Sequence, residues 1–202
     1  MRNEQLTPSA LRGVGAGNFF RPRDAADLGF GARDLRRLVD AGTVERIARG
    51  LYRLVDAEPT EHYTLGAVCA RVPDSIVCLL SALSVHEIGT QMPHEAWIAI
   101  PHKARAPYAP QLPIRLIRFS GAALRYGVVR TRFEGVPAHI TNPARTLVDC
   151  FRFRRIVGFD VAIGAMRESL RSRRVTPDEI RRAAEVLRAG SVIGPVLETL
   201  VG

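Results

Sequence analysis

The sequence predicts an α+β protein, with an N-terminal winged helix-turn-helix domain at residues 1–57 and a mixed α+β domain at residues 58–202. Helix and turn signals near the N-terminus are followed by a β-hairpin signal before residue 55. The remaining chain shows signals for a helix, several strands and then several helices, an order typical of α+β domains. With 47% hydrophobic residues in 202, the chain can bury the cores that these domains require.

The N-terminal segment contains signals for three helices. Thr7-Pro8 resembles an N-cap followed by proline at the first helical position, and it predicts a short helix that ends in the glycines at 13–17. A second helix is expected from Pro22 to about Leu28, followed by a tight turn. A third helix is expected from Ala32 to Ala41, and Gly42 suits the position that terminates it.

A β-hairpin is expected directly after the third helix. Apolar and polar residues alternate in 43–47 and again in 51–54, and Arg49-Gly50 lies in the connection between them. The order of a winged helix-turn-helix domain is helix, helix, turn, helix and hairpin, and all of these are predicted here in under 60 residues. We therefore interpret the third helix as a recognition helix and the hairpin as the wing.

The third helix divides into two faces. Leu35, Leu38 and Val39 share one face by their spacing, and arginines occupy the opposite face. A helix in the DNA major groove requires this division, because one face packs on its own domain while the other contacts base edges and phosphates. The predicted DNA contacts are Arg33, Arg36 and Arg37 on the helix, Arg46, Arg49 and Arg53 on the wing, and Arg21 and Arg23 on backbone phosphates.

The second domain is predicted from capping and alternation signals. Its expected elements are a helix capped at Asp74-Ser75 and running to His86, strands at 96–100 and 113–119, a hairpin of 128–133 and 136–140 joined through Glu134-Gly135, and helices opening at Asn142, near Phe159, at Thr176 and near Val192. Arg145 and Asp149 are four residues apart on one of these helices, which favours a structural ion pair over catalysis.

Basic charge is unevenly spread along the chain. The formal net charge is +9, and lysine occurs once, at Lys103, so that arginine carries almost all of the positive charge. Such a balance favours a polyanionic partner, chiefly nucleic acid. A possible second basic surface comprises Arg152, Arg154, Arg155, Arg171, Arg173 and Arg174. It could bind nucleic acid or an acidic partner, or these arginines could simply be solvated ends of helices.

No catalytic, metal or cofactor site is expected from the sequence. The three cysteines are far apart, the five histidines lack metal-ligand spacing, and His86-Glu87 has no second histidine four residues on. The N-terminus lacks an apolar segment typical of a signal peptide, and the longest apolar run is too short to span a bilayer. We therefore expect a cytoplasmic protein that is not an enzyme and does not bind membranes.

Several motifs resemble those of the AbiEi-type antitoxins of bacterial type IV toxin–antitoxin systems. The N-terminal motifs are the segment 20–29, Leu35-Arg-Arg-Leu38, Gly42 and the segment from Arg46 to Tyr52. In the second domain they are Ser81-Ala-Leu-Ser-Val-His86 and the segment from Ile140 to Asp149. The resemblance implies a repressor that binds inverted repeats of double-stranded DNA in its own operon promoter. It also implies a C-terminal domain that counteracts a nucleotidyltransferase-like toxin, by direct contact or functionally.

A second hypothesis is a stand-alone winged-helix regulator, or a protein-interaction module, without any toxin partner. This chain is more compact than longer members of the family that it resembles. The resemblance therefore supports DNA binding more strongly than antitoxin activity. A neighbouring gene for a nucleotidyltransferase-like protein would favour the first hypothesis, and its absence would favour the second.

Overall fold

The computed structural model describes residues 8–12, 18–56, 58 and 60–201. They form an α+β fold, as predicted, in two compact units. The N-terminal unit comprises Met1–Asp74, Pro107–Pro113 and Thr131–Ala138, and the C-terminal unit comprises Ser75–Ala106, Ile114–Arg130 and His139–Gly202. The domain boundary expected after residue 57 stays a prediction. The expected cap at Thr7 and the glycines at 13–17 lie outside the described residues.

The N-terminal unit contains the predicted helices and hairpin. After a short 3₁₀ helix at Pro8–Leu11, its elements are β1 (Phe19–Phe20), α1 (Pro22–Ala26), α2 (Ala32–Asp40), β2 (Val44–Ala48), β3 (Leu51–Leu54) and α3 (Tyr63–Arg71). The three strands form an antiparallel sheet in the order β1-β3-β2. The described helices and strands thus confirm a helix-turn-helix followed by a two-stranded wing.

Helix α2 ends where the sequence predicted. Gly42 has φ 68°, a left-handed conformation that glycine adopts without steric cost. Its N–H donates to the carbonyl of Val39 at 3.0 Å, and the N–H of Thr43 donates to the carbonyl of Leu38 at 3.0 Å. These two bonds form a Schellman motif, which satisfies the last carbonyls of the helix and turns the chain into the wing.

Two features of the N-terminal unit differ from the prediction. Phe19-Phe20 forms β1, a third strand, with Phe20 paired to Tyr52. Helix α3 was not predicted, because residues 65–70 are buried on every side and therefore show no amphipathic pattern. The core around Leu11, Phe30 and Leu35 also includes Phe20, Ala25, Val44 and Leu54, while Leu38 and Val39 are partly buried against it.

The C-terminal unit combines a sheet with a helical layer. From residue 75 onward the elements are β4 (Ile76–Val77), α4 (Leu79–Val85), β5 (Ala96–Pro101), β6 (Ile114–Phe119), β7 (Val128–Phe133), β8 (Val136–Thr141), α5 (Pro143–Arg152), α6 (Arg154–Val157), α7 (Phe159–Arg171), α8 (Pro177–Val186) and α9 (Gly190–Val201). Of strands β7 and β8, residues 131–133 and 136–138 belong to the N-terminal unit and the remaining residues to the C-terminal unit. The strand order is β6-β5-β4-β8-β7. Strands β5 and β6 are parallel, as are β4 and β8, whereas β4 and β5 are antiparallel.

The helix expected from Asp74-Ser75 begins later than predicted. Ile76 and Val77 form β4, which pairs with β5 on one side and β8 on the other, and α4 then starts at Leu79. The pairing buries both residues, so tertiary contacts override the local capping signal. The other predicted strands and helices of this unit are present, with small shifts at their ends.

Helix α5 lies in the middle of the helical layer and packs against α4, α7, α8 and α9. Asn142 caps it by accepting a hydrogen bond from the Arg145 N–H at 2.9 Å. At α8, which opens at Thr176 as predicted, Thr176 and Glu179 form a reciprocal capping box. Leu147, Val148 and Phe151 of α5 are fully buried in the core of this unit.

Candidate nucleic-acid interface

Helix α2 presents the predicted arginine face. Its first turn is held by Asp34, whose carboxylate accepts a hydrogen bond from the Gly31 N–H at 2.9 Å. Leu35 is 3% exposed and anchors the inner face, while Arg33, Arg36 and Arg37 are exposed on the helix. Such a helix can supply guanidinium groups to base edges and phosphates while its apolar face stays packed.

The wing adds two exposed arginines. Strands β2 and β3 are joined by Arg49-Gly50, and Gly50 has φ 73°, which favours glycine at this tight turn. The ladder shifts register between Arg46 and Ala48, and Val44, Ala48 and Leu51 are buried beneath it. Arg46 and Arg49 are exposed on this hairpin. The wing therefore offers positive charge at its tip and along its first strand.

The exposed arginines of α2 and the wing are free to bind a ligand. Among the described residues, the side chains of Arg33, Arg36, Arg46 and Arg49 form no ion pair or hydrogen bond. Arg37 lies 4.0 Å from Asp34, and its side chain is 80% exposed. Because the first four charges have no partner in the described chain, and Arg37 stays exposed despite its pair with Asp34, these arginines remain available to a polyanion.

The arginines at the start of α1 differ from each other. Arg23 has a side chain that is 75% exposed and lies 3.4 Å from Asp24, so it can still reach a phosphate. Arg21 is half-buried, and its guanidinium donates to the carbonyl of Ala70. Burial, together with the neighbouring charge of Arg23, lowers the pKa of Arg21. Arg21 thus joins α1 to the end of α3.

Arg53 lies inside the unit and not on the surface of the wing. The residue is 6% exposed, and its guanidinium carbon lies 4.9 Å from the centroid of the Tyr63 ring. β1 pairs with β3 at this position, with Phe19 opposite Arg53, and α3 packs against β3. In this structure Arg53 is placed in the packing beneath the wing, away from the surface predicted to contact DNA.

The six arginines predicted as a second basic surface separate into two groups. Arg152, Arg154 and Arg155 precede α7, and Arg171, Arg173 and Arg174 lie at its end. A 13-residue helix is roughly 20 Å long. Three of these arginines already have partners within the unit: Arg152 binds Asp149, Arg154 donates to the Phe151 carbonyl, and Arg174 contacts the His86 carbonyl and Glu87.

The Arg145–Asp149 pair is an ion pair, as predicted, and it is completely buried. Arg145 Nε lies 2.6 Å from Asp149 Oδ2, and both side chains are 0% exposed. Arg145 also donates to the carbonyls of Ala123 at 3.0 Å and Tyr126 at 2.5 Å, and it lies over the ring of Phe119. Arg145 thereby ties α5 to the segment between β6 and β7, a structural role.

The cysteines are buried, and the described residues contain no cluster of metal ligands. Cys69, Cys78 and Cys150 are buried and form no disulfide with one another, and burial raises the pKa of Cys78 and of Cys150. Within residues 8–12, 18–56, 58 and 60–201, no group of three or more histidine, cysteine or acidic side chains could hold a metal ion. The helices in that same part of the chain are too short or too polar to cross a membrane.

Comparison with known proteins supports the N-terminal assignment. Residues 16–55 match the family described as "Transcriptional regulator, AbiEi antitoxin", which confirms the resemblance for that segment. A search of the curated proteins found no match. The fold is similar to the crystal structure of the RV2827C protein from Mycobacterium tuberculosis, with a TM-score of 0.65. The match covers 96% of this chain and 75% of that chain, at 15% sequence identity. At this identity the likeness concerns the fold alone.

Proposed function

We propose, taking the family match of residues 16–55 as the premise, that this protein represses transcription of its own operon by binding inverted repeats in the promoter. The observation that carries the proposal is the arrangement of exposed arginines on α2 and the wing. Arg33, Arg36 and Arg37 are exposed on the helix whose Leu35 is buried, and Arg46 and Arg49 are exposed on the adjoining hairpin.

In the proposed complex, α2 enters the major groove and the wing follows the neighbouring phosphates. An arginine can bond both O6 and N7 of one guanine, so the α2 arginines can select sequence. Arg49, at the tip of the wing, and Arg23, at the start of α1, supply charge to the DNA backbone. Contacts with the DNA backbone hold the protein in register on the duplex but carry little sequence information.

The proposed role of the second half of the chain is to counteract a nucleotidyltransferase-like toxin. Its support is the resemblance of Ser81–His86, in and after α4, and of Ile140–Asp149, which leads into α5. We propose a binding role and not an enzymatic one. The alternative, a stand-alone regulator without a toxin, is favoured by the fact that the family match ends at residue 55.

DNA binding is tested with the full chain and a labelled duplex of its own promoter, followed by fluorescence anisotropy. Arg36→Ala/Arg37→Ala should bind at least tenfold more weakly than the parent, because each base-reading arginine contributes about 1–3 kcal/mol. The matched control is Arg181→Ala/Arg182→Ala, which removes two consecutive exposed arginines from α8. Equal affinity of the two double variants would refute the assignment of α2 as recognition helix.

The phosphate contacts predict a different response. Arg23→Ala should weaken binding to promoter and unrelated DNA alike, and it should reduce the salt slope of log K by about one. The toxin hypothesis is tested separately by growth rescue, with the full chain expressed beside the product of a neighbouring nucleotidyltransferase-like gene. Absence of such a gene, or absence of rescue, would favour the stand-alone regulator.

A further inference from the structure

The turn between β7 and β8 binds both ends of the winged-helix segment through one residue, Glu134. Its carbonyl accepts a hydrogen bond from the Asn18 N–H at 3.0 Å, and its Oε2 accepts one from Asn18 Nδ2 at 3.0 Å. Its Oε1 accepts from the Thr60 N–H at 2.8 Å and from the Thr60 hydroxyl. Asn18 directly precedes β1, and Thr60 lies shortly before α3. These residues all belong to the N-terminal unit.

The backbone of this turn is unusual for a glutamate. Glu134 has φ 53° and Gly135 has φ 79°, so that both central residues are left-handed, as a two-residue hairpin turn of type I′ requires. Asparagine, aspartate or glycine normally occupies the first of these positions, because larger side chains pay a steric cost there. The hydrogen bonds of the carboxylate offset this cost at Glu134.

Helix α3 leaves space for the Glu134 side chain. Gly66 faces it so closely that a Cβ atom at position 66 would lie 2.8 Å from Glu134 Cγ and 3.0 Å from Phe19 Cε2. Any larger residue at position 66 would push the Glu134 side chain away. The close approach and the hydrogen bonds therefore form one built contact between the turn, β1 and α3.

The charge of Glu134 also fits its surroundings. Burial raises the pKa of its carboxyl, but hydrogen bonds from Thr60 and Asn18 and the positive charge of Arg53 outweigh that effect and lower the pKa overall. The group is therefore ionised at neutral pH. It supplies negative charge near the buried guanidinium of Arg53, whose Nε and Nη2 atoms have no hydrogen-bond partner among the described residues.

We propose that Glu134 is a positioning residue that clamps the winged helix in its DNA-binding conformation by fastening both of its ends to the β7–β8 turn. Release of this clamp lowers DNA affinity without removing any DNA contact, and it offers a route by which DNA binding can be switched. The affinity part of this inference rests on the proposed function, whereas the clamp itself does not.

The test uses the full chain carrying Glu134→Asn. Asn-Gly is a preferred type I′ sequence, so the turn persists while the shorter side chain can no longer reach Asn18 and Thr60. The control, Glu185→Asn, removes the same charge from the exposed face of α8. Charge removal alone strengthens binding to a polyanion, so a weaker complex with Glu134→Asn is opposite in sign to the electrostatic effect.

Amide hydrogen exchange and DNA affinity are then measured in both variants. In Glu134→Asn we expect exchange at the Thr60 and Asn18 amides, both of which donate to Glu134, to be roughly tenfold faster, with Ile98 and Ala99 of β5 unchanged. Promoter affinity should fall at least threefold, with an unchanged salt slope. If Glu134→Asn does not fold, Asn18→Ala, which removes one bond only, should show the same pattern at lower amplitude.

Each outcome decides one part of the inference. Unchanged exchange at Thr60 and Asn18 would overturn the clamp. Faster exchange with unchanged promoter affinity would overturn its effect on DNA binding. If the parent protein binds no promoter DNA, the proposed function fails, and the exchange data alone then establish or overturn the clamp.

Discussion

Replacement of the buried arginine, Arg145→Met, should severely destabilise the C-terminal unit. Methionine fills a similar volume but leaves Asp149 with Arg152 as its remaining cation, and it leaves the Ala123 and Tyr126 carbonyls without their donor. Breaking a fully buried ion pair from one side costs about 3–5 kcal/mol. Arg152 compensates the charge of Asp149 only in part, because it pairs with Oδ1, whereas Oδ2 loses its partner Arg145 and stays out of water. For a chain of this size, the melting temperature should fall by roughly 6–20 °C.

The assay is urea and thermal unfolding of the full chain, followed by tryptophan fluorescence. Trp97 is the single tryptophan, it is 6% exposed, and it lies in the C-terminal unit, so its emission reports on that unit. The control is Arg181→Met, which breaks the exposed Arg181–Asp178 pair of α8 at 2.7 Å, close to the 2.6 Å of the buried Arg145–Asp149 pair. An exposed pair of this kind contributes at most about 1 kcal/mol.

The double variant Arg145→Met/Asp149→Leu separates the stranded charge from lost packing. It should recover part of the stability lost in Arg145→Met, because no buried carboxylate oxygen without its partner then remains in the core. If Arg145→Met lowers the free energy of unfolding no more than Arg181→Met does, the buried ion pair does not stabilise this unit as proposed. The same conclusion follows if the double variant is less stable than Arg145→Met by the full cost of truncating a second buried side chain.

Two further changes test the packing of Gly66 and the protonation of His86. Gly66→Ala should lower the free energy of unfolding although alanine favours helix, because its Cβ would lie 2.8 Å from Glu134 Cγ. The control Gly164→Ala, whose Cβ would meet no heavy atom within 4 Å, should be neutral or stabilising by up to about 1 kcal/mol. A higher melting temperature for Gly66→Ala than for Gly164→Ala would contradict this. Burial lowers the pKa of His86, whose Nε2 donates to the Thr141 carbonyl at 2.7 Å. The stability contributed by neutral His86 is therefore complete above the unfolded pKa of histidine and is lost as the pH falls below about 6.5. A His86→Gln variant should lose less stability than the parent between pH 7.5 and 5.5, and equal losses would show that His86 is not the source of the pH dependence.

Elements that depend on local chemistry were predictable from the sequence. The Schellman end of α2, the Asn142 cap of α5 and the Thr176 capping box are each specified by a few adjacent residues. The arginine face of α2 followed from helical spacing, because the apolar residues on its other side required a core.

Features that depend on distant partners were not predictable. Strand β4 has two residues and exists only because β5 and β8 flank it. Arg53 alternates along its strand like an exposed residue, but Tyr63 and the unpredicted α3 cover it. Glu134 appeared in the sequence only as part of a hairpin turn, since its partner Asn18 is 116 residues away. No local pattern encodes such contacts.

The N-terminal unit is assembled from three separate stretches of chain, the last of which ends at Ala138. During synthesis, the wing and α2 therefore leave the ribosome well before the turn that completes their unit. At about 5–20 residues per second, the roughly 80 residues from Thr60 to Ala138 take some 4–16 s to make. For that interval the nascent winged helix lacks the Glu134 contacts, so the N-terminal unit should become fully ordered only after the β7–β8 turn has emerged.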